Sequence, residues 1–577
     1  MECGTKLAEL YELWLDPPPV NKSFNLDVFE SYLIKHPNFE SEFKFISDGY
    51  PLYLTDRNTA DLSTHVRNIV RDKKDMLAIL TRMIKEAKRG QITGTTTPCH
   101  YTLNLLCVPK KDNDTKRMTG IRVARHGSYS TRDTVAINEK IDRDFCKIPT
   151  LPNIRKYVKL LILYDYVSLR DLKDAFRQLF LAIPDRNYIQ YVLFGLRFRD
   201  NMQAYGVASA AANCQHFSDI LIWIYENVQL SHNQRGRILV HIDDFLMAAK
   251  TERDCKDMTL KFDQMCADLN VKISHEKDEN WVQKGVVHGF GFDLKASPKL
   301  TFIPDHKFVE LLKALLLCIK HRYATGEALE SICGKIMHWS QFRKYAKVLC
   351  FRLLSFIFRH IRTHKYLKYK IFYISDEIIL DFRFWIRYAQ YMRVVTMESI
   401  LYTPSITVMA SSDACAFGAG FVVNSEYGYY KFNTQPNKFG ITHSKMSINY
   451  QEAHAVIMLL HNFKHILTGR HCLLFVDNTS VMWSLIKNWS TSAQLMEYIH
   501  EIVLLCCTYR ISLRVEYISS FINGLSDSLS RFEIDRFNQL ISDYDYQIDS
   551  EPTKLEYYQH LRLIKEGPDT INNNVSI

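Results

Sequence analysis

No C-x-x-C spacing occurs among the fourteen cysteines of this 577-residue chain, and they form no paired framework. That pattern speaks against a zinc site and for reduced thiols in an intracellular protein. No apolar run approaches the roughly 18 residues that a membrane span needs. The opening M-E-C-G-T-K-L-A-E-L lacks the hydrophobic region of a signal peptide. The expectation is an intracellular chain with no membrane partner, in cytoplasm or nucleus. The basic stretch Lys110–Lys116 is too mixed to decide between those two compartments.

What is present is ordinary in bulk and specific in detail. Apolar residues make up 47% and charged residues 24%, as in globular proteins. A formal net charge of +10 suits a polyanionic partner. The length calls for several domains. Met76, Leu77, Leu80, Met83 and Ile84 recur at helical spacing, and Gly90 should stop that helix. Between about residues 92 and 300, short β-rich runs alternate with helical ones. The chain then turns helical, with helices expected over Phe308–Ile319, from Thr325 and after Ser375. Residues 343–370 interleave Arg, Lys and His with Phe, Leu and Ile, which suits either a solvated helix face or a nucleic-acid track. A fresh β-pattern starts at Ser405 with I-T-V-M-A-S-S-D. The expected divisions are therefore 1–72, of unknown role, 73–304, 305–400, 401–535, and an acidic to Asn-rich tail, 536–577, expected to end in disorder.

One Asp–Asp pair, Asp243–Asp244, stands in I-L-V-H-I-D-D-F-L-M-A-A between apolar flanks. Adjacent carboxylates at the tip of a buried hairpin need cations to offset their charge. Upstream, V-S-L-R-D-L-K-D-A-F ends an apolar strand at Asp171, with Asp174 three positions on. Three carboxylates on neighbouring strand ends suit two divalent metals about 3.5–4 Å apart, the arrangement that drives phosphoryl and nucleotidyl transfer. A second set follows the β restart. Asp413 lies in A-S-S-D-A-C-A-F-G-A-G, Glu452 in Y-Q-E-A-H, Asp477 in L-L-F-V-D-N-T and Asp527 in L-S-D-S-L-S-R. Taken singly, these are a strand-end Asp, a helix-opening Glu and a helix cap. Gly418 and Gly420 are expected to permit a tight strand return.

Together these blocks resemble the reverse transcriptases of retroelements, over roughly residues 75 to 532. The resemblance implies an α+β, multidomain chain. Its fingers and palm would fall in 73–304, a helical thumb or connection in 305–400, and an α/β ribonuclease H-like domain in 401–535. V-P-K-K-D places Lys110 and Lys111 near template and incoming nucleotide, where ammonium groups suit phosphate. M-T-G-I-R-V-A-R-H-G offers Arg122 and Arg125 to the triphosphate, although the usual Trp-Arg pair is missing. D-L-K-D-A-F makes Asp171 a metal ligand and Phe176 a ring that leaves no room for a 2′-hydroxyl. M-Q-A-Y-G-V-A-S-A-A-A-N-C-Q matches the template-grip block at Gly206, Ala210 and Gln215, with Ala204 and Ala211 in place of two prolines and Cys214 in place of Phe. H-I-D-D corresponds to Y-x-D-D, Asp243 being the main ligand and Asp244 auxiliary, with His241 where Tyr is usual. Lys277 falls on the family lysine that faces the triphosphate, and V-H-G-F-G-F-D resembles the primer-grip hairpin, with Gly289 at its glycine.

The second set resembles the Asp-Glu-Asp-Asp of ribonuclease H. Asn523, Asp527, Leu529, Ser530 and Arg531 match the family's closing block, and Tyr517 replaces its histidine. The resemblance implies two Mg²⁺ per active site, with Mn²⁺ as a substitute. It also implies dNTPs, an RNA template, a DNA primer and product, and an RNA–DNA hybrid as partners. The style is that of DIRS-type retrotransposons, and gypsy-like elements and pararetroviruses share these blocks. No protease, integrase or recombinase motif is visible, so a recombinase or integrase and a capsid are expected from separate chains. Two alternatives stay open: a domesticated or decayed remnant that binds nucleic acid without catalysis, and an RNA-dependent RNA polymerase. Phe176 and a ribonuclease H domain weigh against the second.

Overall fold

Asp–Asp turns of this kind need a rigid hairpin beneath them, and the computed structural model supplies one. It describes residues 2–548, apart from 21–23, 57–67, 112–117, 129–134, 151–152, 344, 403–404 and 433–446. Two compact units divide the chain, Met1–Lys299 and Leu300–Ile577. The division falls five residues before the expected start of the helical region at 305.

In the first unit, an antiparallel sheet runs in the order Glu279–Val282, Tyr166–Asp171, Asp244–Ala249, Ile238–His241. Phe245 through Ala249 are fully buried, as suits a central strand covered on both faces. Helices Ala208–Ile224 and Glu252–Asp268 supply Phe217, Leu221, Ile224, Met258 and Phe262 to that core. The helix expected from Lys73 spans Lys73–Lys88, with the Asp72 side chain capping the Asp75 N–H. Gly90 follows at φ +65°, where a Cβ would lie 2.6 Å from the Pro19 carbonyl oxygen.

Described residues from the first fifty also join the cores of this unit. Helix Glu2–Leu15 puts Leu10 among Ile79, Leu80 and Met83 of the Lys73–Lys88 helix. Phe24, Phe29, Leu33, Ile46 and Tyr50 join the core of the Asp–Asp sheet. Removing this segment would uncover apolar surface on both subregions of the unit.

The second unit begins with helices Asp305–His321, Gly326–Trp339 and Asp376–Arg393, at the three expected places. Thr325 caps the middle one by accepting from the Ala328 N–H at 3.2 Å. Residues 345–369 are broken helix in which Phe351, Leu353, Ile357 and Ile361 are buried, while Phe358 is exposed. Next comes a five-stranded mixed sheet in the order Glu426–Lys431, Gly418–Val423, Val408–Ala414, His471–Val476, Ser512–Tyr517. Its first three strands are antiparallel and the last two join in parallel. Helix Ile448–Asn462 packs against it, and helix Ala493–Thr508 packs on that helix. Helix Ile534–Tyr544 carries ordered structure past the expected boundary at 535, because Phe537 packs on Tyr427 and Leu529. The rest of the expected tail, 549–577, lies outside the described residues.

Candidate active sites

The turn between strands Ile238–His241 and Asp244–Ala249 is strained. Ile242 takes φ +58°, a left-handed conformation that β-branched residues avoid. Helix Ala208–Ile224 holds it there. The Gln215 Oε1 accepts from the Ile242 N–H at 2.8 Å, and the Ser218 hydroxyl donates to the Ile242 carbonyl. Gln215 thus fixes the turn through its backbone. Asp171 is the register partner of Asp244 across the sheet, and the Leu172 N–H donates to the Asp243 carbonyl at 3.1 Å. The result gathers one carboxylate oxygen from each of Asp171, Asp243 and Asp244 within 4.8 Å of one another.

Electrostatics mark this cluster as under-compensated. Burial, then the charges of Asp244 and Asp171, push the Asp243 carboxyl up to about 6. Burial also raises Asp171, although the Lys277 ammonium at 2.7 Å opposes it. At Asp244 burial pushes upward too, but contacts with His288 and Asp171 and the charge of Lys277 outweigh it, so its carboxyl sits below the usual range. Three hard oxygen ligands at strand ends, one protonating near neutrality for want of counter-charge, fit divalent cations of the Mg²⁺ class.

Around the cluster the expected residues separate. Phe176 is half-buried and stacks at a tilt on Tyr205, ring centroids 4.7 Å apart. Arg82 reaches both oxygens of Asp174 at 3.4 Å, and Asp174 sits at φ +50°. Gly206, at φ +97°, is required by a close approach of protein backbone: a Cβ there would lie 1.8 Å from the Arg125 carbonyl oxygen. Ala210 is fully buried. Arg122 is exposed on the hairpin formed by Leu105–Lys111 and Met118–Arg125. Lys110 and Lys111 close the first of those strands, and their side chains lie outside the described residues.

Arg125 is a correction. It is buried against Glu86 and over the Tyr191 ring, in a network where Arg177 also bonds Glu86 (3.0 Å) and Asp200 (2.8 Å). A guanidinium so enclosed has no path to a triphosphate. Sequence reasoning also passed over Tyr157 and His288. His288 stands with Gly289 at the tip of the Lys284–Val287/Phe290–Asp293 hairpin, both at positive φ, as a two-residue turn requires.

In the second unit, Asp413 is the penultimate residue of the middle strand, Glu452 lies on helix Ile448–Asn462, and Asp477 follows the parallel strand His471–Val476. Their carboxylates again offer oxygens within 4.8 Å of one another. Burial, followed by its acidic neighbours, raises Glu452 to about 9, and burial carries Asp413 to about 7 against a hydrogen bond from Ser530. The Ala414 N–H donates to Glu452 Oε1 at 3.2 Å, while Oε2 is buried without a partner. An orphaned oxygen on a carboxyl gathered with two others fits a divalent cation. Ser520 donates to Asp477 Oδ2 at 2.8 Å. Asp527 is not in the cluster: Arg531 and Arg536 hold its two oxygens at 2.7 and 2.9 Å. Gly420 serves close packing instead of a turn, since a Cβ there would lie 2.4 Å from the Ser526 carbonyl oxygen. Asn523 donates to the Ser412 carbonyl at 3.1 Å, and Tyr517 is exposed at the end of the last strand.

No protein-family model and no curated protein matches the chain. Among solved structures, it is similar to the foamy viral protease-reverse transcriptase in complex with dsDNA, at 13% identity and a TM-score of 0.44, over 87% of this chain and 99% of that one. The dRH form in complex with ds DNA gives 14% identity and 0.42, over 88% and 84%. The complex with RNA/DNA hybrid gives 12% and 0.43, over 88% and 64%.

Proposed function

We propose that this chain is the RNA-directed DNA polymerase of a retroelement, in the style of DIRS-type elements, with a ribonuclease H site in its second unit. The observation that carries this reading is the convergence of Asp171, Asp243 and Asp244 at adjoining strand ends, beside the ammonium of Lys277. Mg²⁺ ions held there, or Mn²⁺ in their place, would neutralise charge and activate the attacking oxygen.

The protein's own contributions follow from placement. Asp171 and Asp243 hold the cation side of the site, with Asp244 as its outer member. Lys277 lends positive charge for the phosphates of a dNTP. Phe176, braced by Tyr205, blocks a 2′-hydroxyl and so selects deoxynucleotides. Gln215 keeps the carboxylate turn in its strained form, and exposed Arg122 serves phosphate from the fingers. In the second unit, Asp413, Glu452 and Asp477 would act on the RNA strand of an RNA–DNA hybrid, with Asp527 released from its arginines to complete the set. The partners are then an RNA template, a DNA primer and dNTPs, with recombinase or integrase and capsid supplied by other chains.

Primer extension on poly-rA/oligo-dT with Mg²⁺ tests the reading. Folded wild-type chain should incorporate dTTP, and D243N should not. A folded wild-type chain that binds the hybrid without extending it would leave the non-catalytic remnant as the better account.

A further inference from the structure

The hairpin Lys284–Val287/Phe290–Asp293 presents His288 directly to the carboxylate cluster. The imidazole is almost enclosed, its side chain 5% exposed, and Nε2 lies 3.2 Å from Asp244 Oδ2. Its other nitrogen, Nδ1, is 2.6 Å from the hydroxyl of Tyr157, itself buried on helix Ile154–Leu161. His241, the register partner of Asp244, meets the His288 ring edge to face, centroids 5.1 Å apart.

The Tyr157 hydroxyl beside Nδ1 fixes the plane of the ring, and so turns its Nε2 edge toward Asp244 at 3.2 Å, an ion-pair distance without hydrogen-bond geometry. Asp244 is the most open of the three acids, its side chain 51% exposed against 13% for Asp171. It has the greatest freedom to turn away, and its Oδ2 lies against the imidazole at 3.2 Å.

We propose that His288, oriented by Tyr157, is a positioning residue for Asp244. It reserves one carboxylate oxygen and leaves the other aimed at the cation site. The hairpin that the sequence reading gives to the primer is thereby tied to the metal ligands through one side chain. This inference rests on the polymerase reading for its purpose, but its contacts do not. Partners of this kind, one shell out from the ligands, are worth about 10- to 100-fold in metal affinity or activity.

The test uses the full chain carrying D413N, which silences the second site, with Mn²⁺ as probe. Mn²⁺ binding is followed by the loss of the free-ion electron paramagnetic resonance signal. H288L should weaken binding about 10-fold and raise the KM for Mg²⁺ in primer extension, with kcat at saturating metal changed less than about twofold. H288Q, which keeps a side-chain N–H, should recover most of the affinity. Should H288L not fold, Y157F, which removes only the orienting hydroxyl, should give a smaller shift in the same direction. Wild-type Mn²⁺ affinity in both folded H288L and Y157F would overturn the inference. Tight Mn²⁺ binding without extension by the parent would overturn the polymerase reading and leave the His288 result interpretable.

Discussion

Asp171 faces Asp244 as a register partner across two antiparallel strands, at the point where the first strand ends and the second begins. Asp243 adjoins them, and burial with these two neighbours holds its carboxyl at about 6. Activity and stability should therefore respond oppositely to one substitution. D243N should lower primer extension about 1,000-fold, the scale of several kcal/mol of lost metal-assisted stabilisation. It should also raise the melting temperature of the metal-free chain at pH 8, since an uncharged amide ends the like-charge crowding. Calorimetry without divalent ions, paired with extension assays, reads both.

The second site should make metal-free stability fall with rising pH. Asp413 and Glu452 are raised from 3.8 and 4.5 to about 7 and about 9, chiefly by burial. The folded state therefore binds more protons than the unfolded state between about pH 4 and pH 9, and stability declines across that window. Mg²⁺ should restore it, and its effect on the melting temperature should grow with pH. E452Q should flatten the profile. A metal-free melting temperature that rises from pH 5 to pH 9 would contradict the burial of these acids.

The steric gate proposed at Phe176 should be separable from catalysis. Phe176 leans on Tyr205 with ring centroids 4.7 Å apart, so its ring is braced. F176V should narrow the discrimination between dNTP and rNTP by roughly 10- to 100-fold, as for loss of a packed group in a specificity pocket. Most of the change should appear as a lower KM for rNTP. Equal use of rNTP by the wild type would remove the gate from Phe176.

Legibility in the sequence tracked how local each constraint is. The Asp–Asp hairpin and the three helices from Asp305 to Arg393 were readable because periodicity and caps sit within a few residues of what they specify. The strand-end places of Asp413 and Asp477 were readable locally, whereas Glu452 lies in the second turn of helix Ile448–Asn462 instead of opening it, and the pairing of Asp527 with Arg536 depends on a helix running past the expected boundary. The role of residues 2–50 was not readable, because Leu10 and Phe29 find partners far along the chain. Arg122 and Arg125 looked equivalent. On a strand, positions three apart face opposite sides, so only one of them reaches solvent, and nothing local says which. His288 hid for a related reason: H-G marks the turn, while the direction of the imidazole is set by Tyr157 and Asp244 from other segments.

The two arginines on that strand therefore offer a direct contrast. Arg125 and Arg177 share buried Glu86, whose carboxyl is held at about 2: burial opposes this, but the charges of Arg125, Arg177 and Arg82 overcome it. Breaking such a pair from one side strands a buried charge and costs about 3–5 kcal/mol. R125M should lower the unfolding free energy of the first unit by that amount in urea titration, with the KM for dNTP unchanged at temperatures where the chain stays folded. R122A should do the reverse, raising the KM for dNTP several-fold with the urea midpoint unmoved, because an exposed guanidinium stabilises little. The Glu86 contribution is present above pH 4.5 and fades as pH falls toward about 2, so E86Q should cost most near neutrality and progressively less in acid. If R125M spared stability and raised the KM for dNTP, the buried network would not be what holds the Leu105–Lys111/Met118–Arg125 hairpin to the helix Lys73–Lys88.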